Sequence, residues 1–586
     1  MYCIEFKRLF RLFCFCIFTS VAPFSVTPSA LAAPQTGVPP LSTSPAPSAG
    51  ALTQQIERER ELNPVHLHAP APVQVPQETG SASGASFTVK EFRFVGNHIY
   101  SNEQLAQVLR PYLNRSVQIK DLQNASASVA DFYRLSGWVV KTTLPGQDIA
   151  NGVVTIQVIE AKFGRVRLEG DTSKRVKSEK IVATLMASQK PGAPVNTNAI
   201  DQGLALVGEL AGVKVQGNLA AGQVEGETDL IVSVFDQPFV TGDAGADNSG
   251  SRSTGSNRIT ANLSLNSWMG LGDLLGMNVL TTSGSGYVRV SQTVPLGYSG
   301  LKLGVNASNL NYHLVTQDFA ALNANGYASS LGLEMSYPFQ KTPSSLLSGV
   351  LSVDKKHYLN NAQGAVASDY ANTPVTLSLN GLSSDAWGGG SSTLASLNLS
   401  RGSINLSNSP AQFQVNDANT TQIAGPYNKL RYMLTREQSL GRGLSAYLSL
   451  SGQTANKNLD SSEKFYLGGI NGVRAYPSNE AGGTKAQMMT AELRSRFKER
   501  FSLSAFYDYG RIVLNSSNQF TGASALNQYA LKGSGVSLGY QAPSGVSLKA
   551  TFSSRIGVNP NPTSTGNDQD GSLVKNRVWL NANMPF

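Results

Sequence analysis

Thiols are almost missing from this 586-residue chain. Its three cysteines, Cys3, Cys14 and Cys16, crowd the extreme N-terminus, so everything after them lacks disulfides and Cys-ligated metals. Charge is scarce as well: Asp, Glu, Lys and Arg supply 15% of residues, against roughly 25% in an ordinary soluble domain. Hydrophobicity does not make up the difference. Mean hydropathy is −0.14, and past the N-terminus no run of about 18 apolar residues could form a transmembrane helix. A helical membrane protein is therefore disfavoured. Catalytic signatures are thin too, with no G-x-x-x-x-G-K-[ST] phosphate loop and no H-E-x-x-H zinc motif. The net charge of +9 is too modest to argue for nucleic acid.

What is present is 56 Gly with much Ser, Asn and Thr. A chain poor in charge but not hydrophobic is what alternation of apolar and small polar residues produces, and it points to β-structure with one face in lipid. The N-terminus fits a secreted chain. Lys7, Arg8 and Arg11 precede an apolar stretch from Leu12 to Val21 and a small-residue site at Ala30-Leu31-Ala32, the pattern of a signal peptide over residues 1–32. Its removal takes away three cations and one anion, Glu5, leaving +7 and no thiol.

Residues 33–85 are rich in Pro, Ser and Ala, a composition that cannot repay the entropy of ordering. One island of helix formers interrupts them at about 51–63, with Leu52, Ile56 and Leu62 along it and Pro64 after it. Either it is a short solvated helix in a linker or it needs a host surface, because helices this short are marginal in water. From Phe87 the pattern becomes compact α+β. Phe87 to Val95 alternates as a strand, Ser101 caps a helix, a second helix runs from Asp121 to Ser136, and strands follow at Trp138–Leu144 and Gly152–Ile159. The same order returns over Arg165 to Phe235, which predicts tandem small domains at 86–162 and 163–236.

Residues 237–586 read as about sixteen strands of roughly 22 residues each with turn or loop, an even number as a single-chain bacterial barrel requires. Ile259, Ala261, Leu263 and Leu265 alternate with Thr260, Asn262, Ser264 and Asn266, and the last segment is apolar at Val578, Leu580, Ala582, Met584 and Phe586. A soluble β-sandwich is the alternative. A stretch at 456–485, after the eleventh strand, is too long for a turn. In the strand after it, outward Ala491, Leu493 and Phe497 put Glu492, Arg494, Arg496 and Lys498 into the lumen. In the next, outward Leu503, Ala505, Tyr507 and Tyr509 put Phe506, Asp508 and Gly510 inside. Asp508 is then either an anchor for a cation or a mere balance of lumenal charge. Two features carry little chemistry. Gly535-Val-Ser537-Leu-Gly539 matches G-x-S-x-G but lies in an alternating strand rather than at an elbow, and His66, His68, His98, His313 and His357 are scattered.

The motifs Pro145-x-Gln147 followed by Gly152, Gly272-Asp273, Val473-Arg474-Ala475-Tyr476 and Phe506-x-Asp508-x-Gly510 resemble those of the outer-membrane transporters of two-partner secretion, in the larger group of outer-membrane assembly and export barrels. The resemblance covers essentially the whole chain. It implies a membrane β-barrel of about 16 antiparallel strands, preceded by two POTRA domains in the periplasm and an N-terminal plug helix. It further implies that the long loop folds into the barrel and that Arg474 pairs with Asp508, with Tyr476 beside them. Ala475 departs from the family's usual V-R-G-Y glycine, which would strain the loop if that position needs positive φ. The function implied is export of a large secreted protein, an adhesin, haemolysin or contact toxin, with no nucleotide, cofactor or catalysis. The bilayer, lipopolysaccharide and the barrel-assembly machinery are the other implied partners. A barrel-assembly insertase, a passive porin and a barrel-embedded hydrolase are the rivals.

Overall fold

The computed structural model describes residues 48–62, 86–147, 149–170, 173–342 and 344–586. The expected signal peptide at 1–32, the parts of the expected linker at 33–47 and 63–85 with His66 and His68, Asp148 and the Leu62 side chain lie outside the described residues.

The two α+β modules share one topology. In the first, Glu91–Val95 runs parallel to Val153–Glu160, which pairs antiparallel with Val140–Thr143. In the second, Lys162–Glu169, Glu227–Asp236 and Val213–Ala221 take the corresponding places. Helices Asn102–Val108 and Ile119–Leu135 cover the first sheet, Ser178–Ser188 and Thr197–Val207 the second. Ser101 closes the first helix with a capping box through Gln104. The expected strand from Phe87 to Val95 is in fact two: Ser86–Thr88 leaves to pair with Ser116–Gln118, and only Glu91–Val95 joins the main sheet. Alternation reports which face a residue takes, not which partner its backbone finds.

The Pro145-x-Gln147 motif has a mechanical reading. Strand Val140–Thr143 stops short of Thr155, and the Gln147 amide takes over, donating to Thr155 O at 2.7 Å and accepting from Thr155 N at 2.6 Å. A side chain thus completes a backbone ladder. Gly152 sits at φ 77, where an added Cβ would lie 2.7 Å from Thr88 O. Glu160 gathers His98 N, Ile99 N and the Tyr133 hydroxyl within 2.9 Å, and burial followed by this hydrogen bond raises the Tyr133 phenol above its ordinary pKa.

The modules meet through backbone hydrogen bonds, among them Val139 N to Val195 O at 3.1 Å and Val195 N to Ala161 O at 2.8 Å. The second module then rests on the near end of the barrel. Gly272, at φ 76, leaves room for Leu210, and Ala211 N donates to Gly272 O at 3.1 Å. Asp273, fully buried, accepts from Met269 N and Gln292 Nε2 and holds that turn.

The barrel closes when Asn576–Pro585 pairs with Val240–Asp247. It has sixteen antiparallel strands, the eighth being interrupted at Thr373-Pro374 into Ala365–Asn372 and Val375–Asp385, since proline cannot donate to a ladder. Leu331, Leu333, Leu377 and Leu399 are more than half exposed on the outer wall, a surface that water would not tolerate as one belt and lipid does. Ser537, of the serine motif, lies mid-strand with its hydroxyl 2.8 Å from Thr551 Oγ1. His357, read from sequence as isolated, sits against Asp369 at 2.6 Å.

Gln147→Ala should remove one acceptor and one donor from an otherwise complete ladder, worth about 1–2 kcal/mol locally. The expected outcome is about tenfold faster hydrogen exchange at the Thr155 amide in the full-length protein, and unchanged protection there would refute the assignment.

Candidate functional site

The lumen is filled by two pieces of the chain itself. One is the helix Ala49–Leu62; the other is the segment at 456–484, between the eleventh strand, Leu444–Ala455, and the twelfth, Lys485–Phe497. That segment is tied across its base by pairing of Phe465-Tyr466 with Gly482-Gly483. Its tip closes on itself through Val473 N to Leu467 O at 2.7 Å and Tyr476 N to Val473 O at 3.0 Å. Leu467, Val473, Ala475 and Tyr476 are buried against Met488, Ile512, Tyr529 and Leu531 of the wall.

Arg474 projects from this tip onto the twelfth and thirteenth strands. The register sets Glu492 opposite Phe506 and Thr490 opposite Asp508, so one guanidinium meets Glu492, Phe506 and Asp508, and Thr490 backs the aspartate. Its Nε and Nη2 donate to Asp508 Oδ2 and Oδ1 at 2.9 and 2.8 Å, a bidentate fork, and Nη1 donates to Glu492 Oε1 at 2.7 Å. The Arg474 amide adds a bond to Asp508 Oδ2 at 3.1 Å, and Thr490 Oγ1 donates to Oδ1 at 3.0 Å. The plane of the guanidinium lies 3.4 Å from the Phe506 ring centroid. Asp508 is fully buried and Arg474 is 6% exposed. With the loop seated, each of these two buried charges is matched by the other.

Gly510 supplies space rather than flexibility: a Cβ there would lie 2.7 Å from Leu467. The Ala475 question resolves simply. Its φ is not positive, and its methyl packs where the wall carries Gly533, whose added Cβ would come within 2.7 Å. Tyr476 does not touch Asp508; it lies under Arg555, 4.5 Å from ring to guanidinium, and Arg555 in turn pairs with Asp568. Arg494 is lumenal and bridges Glu492 and Glu437 at 2.7 and 2.9 Å while covering Tyr447. Arg496 has the inward phase but is exposed at the near end. Lys498 is a correction: the strand ends at Phe497, and Lys498 occupies the turn with φ 49. Period-2 phase extrapolates past a strand end only if the strand continues. Sequence reasoning missed Thr490, Ser553 and Trp579, the last two donating to Arg474 O at 2.7 and 2.8 Å. Their phase was readable, but their common target was not.

The helix crosses the lumen from the seventh strand, Ser345–Ala362, to the second, Arg258–Asn266. Ala49 N donates to Asn360 Oδ1 at 2.8 Å, Glu57 pairs with Lys356 at 2.7 Å, and Glu59 pairs with Arg258 at 2.8 Å. Leu52 is buried, with Ile56 packed beside it, among Tyr287, Leu310, Tyr312 and Tyr358. The long loop forms the rest of its bed. Ser48 meets Ser461 at 2.8 Å, Arg58 donates to Tyr466 O and covers Phe465 at 4.0 Å, and Gln54, in the amide orientation that satisfies both its ends, donates to Ser462 O at 2.7 Å.

Residues 226–541, more than half of the chain, match the haemolysin secretion/activation protein family ShlB/FhaC/HecB. The chain belongs to that family. Residues 87–161 match the ShlB-type POTRA domain. Among individual proteins, the heme/hemopexin transporter protein HuxB of Haemophilus influenzae (strain 86-028NP) is 24% identical over 519 residues, covering 84% of this chain and 88% of HuxB. The outer membrane transporter CdiB of Escherichia coli is 27% identical over 219 residues, 37% of this chain and 36% of CdiB. In fold the chain is similar to the structures of CdiB from Escherichia coli, with TM-score 0.69 and 17% identity, and from Acinetobacter baumannii, with 0.65 and 18%. Each likeness covers 93% of this chain and 100% of the other. As a member of the ShlB/FhaC/HecB family the chain is an outer-membrane two-partner secretion barrel with its POTRA end in the periplasm. The near-end turns are therefore periplasmic and the far-end loops extracellular.

Replacing Asp508 by Ala should leave Arg474 with Glu492 alone and cost roughly 3–5 kcal/mol at this site, whereas Ser553→Ala should cost about 1 kcal/mol. Limited proteolysis of the folded barrel measures the difference. The 456–484 segment is expected to be cut much faster in D508A than in S553A, and equal rates would contradict the ranking.

Proposed function

We propose that the protein translocates a partner exoprotein across the outer membrane, taking it unfolded in the periplasm and releasing it at the surface without nucleotide hydrolysis. The observation that carries this reading is the nature of the lumenal filling. A passive porin needs an open lumen; here it is occupied by two segments of the same chain, held by apolar contacts together with ion pairs and hydrogen bonds, and the polar contacts can be exchanged for water or for a client's polar backbone. The helix Ala49–Leu62 acts as a plug. The loop carrying Arg474 acts as a lock whose partner is Asp508, with Phe506, Glu492 and Gly510 shaping its seat.

Beneath the barrel, sheet-edge strands such as Glu91–Val95 and Val213–Ala221 provide backbone groups to which an extended chain can add as a further strand, main-chain hydrogen bonds giving affinity without demanding one sequence. The relatives' printed names, a heme/hemopexin transporter and outer membrane transporters, support a transport role, and the family resemblance suggests a large secreted client of the adhesin, haemolysin or contact-toxin kind. Free energy for export then comes from the client folding outside, which removes it from the translocating equilibrium. Insertion of the barrel would fall to the general barrel-assembly machinery.

Arg474→Ala and Asp508→Ala are expected to abolish appearance of the client at the cell surface while the barrel still reaches the outer membrane, measured by surface immunodetection beside heat-modifiability of the barrel. Full secretion by both variants would sink the lock. For the plug, Gly50 is informative because an added Cβ would press on Tyr370 Oη at 2.9 Å and on Ser461 and Ser462 at 3.0 Å. Gly50→Leu, like deletion of residues 50–64, should raise single-channel conductance in planar bilayers severalfold; conductance equal to the unaltered protein would remove the plug assignment.

A further inference from the structure

The second module brings a row of cations to the periplasmic rim of the barrel. Lys174, Arg175, Lys177 and Lys180 lie within seven residues at the start of helix Ser178–Ser188, and among the described residues none of the four forms an ion pair. Contacts hold this row against the turns that end in lipid. Ser267 Oγ donates to Arg175 O at 2.8 Å, Lys177 N donates to Gly270 O at 3.4 Å, and Arg175 lies 4.9 Å from the Phe239 ring. The Lys180 ammonium donates to Gly297 O and stands 4.9 Å from the Tyr298 ring.

Those turns are apolar and exposed. Trp268, Met269, Leu296 and Tyr298 are each more than 40% exposed, an aromatic and aliphatic fringe of the sort that sits at a membrane–water interface. Between the helix and the turn runs a shallow cleft lined by Lys180, Thr184, Leu206, Leu296 and Tyr298. Among the described residues, the acids nearby are engaged or exposed. Glu209 is held by Lys302 and Lys341, Asp236 caps Ser173 and Lys174 N, and Glu179 is exposed on the helix.

Cations that form no ion pair among the described residues, set beside an exposed aromatic fringe at headgroup depth, complement one kind of molecule. We propose that this collar docks an anionic glycerophospholipid of the periplasmic leaflet, its phosphate held by Lys177 and Lys180 and its acyl chains laid along Leu296, Tyr298 and Trp268. The inference rests on the outer-membrane placement of the barrel and not on any client. Lipid bound there pins the second module to the membrane surface and so fixes the direction in which the sheet edges of both modules face.

The test uses the full-length protein in detergent, titrated with palmitoyl-oleoyl phosphatidylglycerol and read by native mass spectrometry. At about fivefold per surface cation, K177Q/K180Q is expected to lose tenfold or more in phosphatidylglycerol retention, with barrel folding verified by heat-modifiability. K355Q, which alters an exposed cation on the outer wall far from this turn, should retain lipid as the unaltered protein does. Phosphatidylcholine of the same chains should bind weakly to all, and millimolar inorganic phosphate should fail to displace phosphatidylglycerol. Equal retention by K177Q/K180Q and the unaltered protein, equal binding of phosphatidylcholine, or displacement by inorganic phosphate would each overturn the proposal.

Discussion

A guanidinium taken out of water must find every one of its partners at once, and in this barrel the requirement falls on Arg474. Its fork is met by Asp508, its remaining nitrogen by Glu492, its face by Phe506, and its own backbone carbonyl by Ser553 and Trp579. These groups come from four wall strands, the twelfth, thirteenth, fifteenth and sixteenth. The loop can occupy the lumen only if they are in register, and with the loop absent Asp508 would face the open lumen with Thr490 beside it. Wall and loop therefore specify each other. A buried pair of this kind is weak evidence for net stability, since desolvation offsets much of its attraction, but it is a strong selector of one arrangement over its neighbours.

The plug helix answers a different demand. It is polar for a segment so enclosed, with residues 49–54 buried on every side, and an ordinary core would reject it. The barrel accepts it because the wall supplies matching groups: Lys356 for Glu57, Arg258 for Glu59, Asn360 for the free amide of Ala49. Each of those bonds has an equivalent in water, so leaving costs far less than extracting an apolar helix from an apolar core. Under the proposed reading, a plug that has to come out is better built this way than from leucine.

The barrel, its strand number and the phase of its walls were legible in sequence because period-2 alternation is a direct imprint of a wall with lipid on one side. The tandem modules were legible from repetition. Phase placed Asp508 on the lumenal face, but Arg474 lies in a loop where phase says nothing, and its pairing with Asp508 came only from family resemblance. What stayed hidden has a common cause. Gln147 replacing a strand residue, Gly272 opening space for Leu210, and Ser553 and Trp579 converging on one carbonyl all depend on contacts between residues far apart in the chain, and local pattern carries no information about them. Lys498 failed for the opposite reason, because a local rule was carried one residue past the strand that justified it.

The arrangement of the long loop joins these threads. Its first part, Ser461 to Tyr466, is the floor on which the helix lies, through Ser461, Ser462, Phe465 and the Tyr466 carbonyl. Its second part, Val473 to Tyr476, is the piece held by Asp508 and the wall. Only a few residues and a two-residue ladder separate them. Under the proposed reading, departure of the helix would take from Phe465 the nearer of its two cations, Arg58, and from Ser461 and Ser462 their contacts with Ser48 and Gln54, loosening the base of the loop while Arg474 still holds its tip. Opening would then proceed from plug to lock, because the contacts shared with the helix are neutral or singly charge-assisted, whereas release of Arg474 must break a bidentate pair, a second carboxylate bond and a stacked ring together.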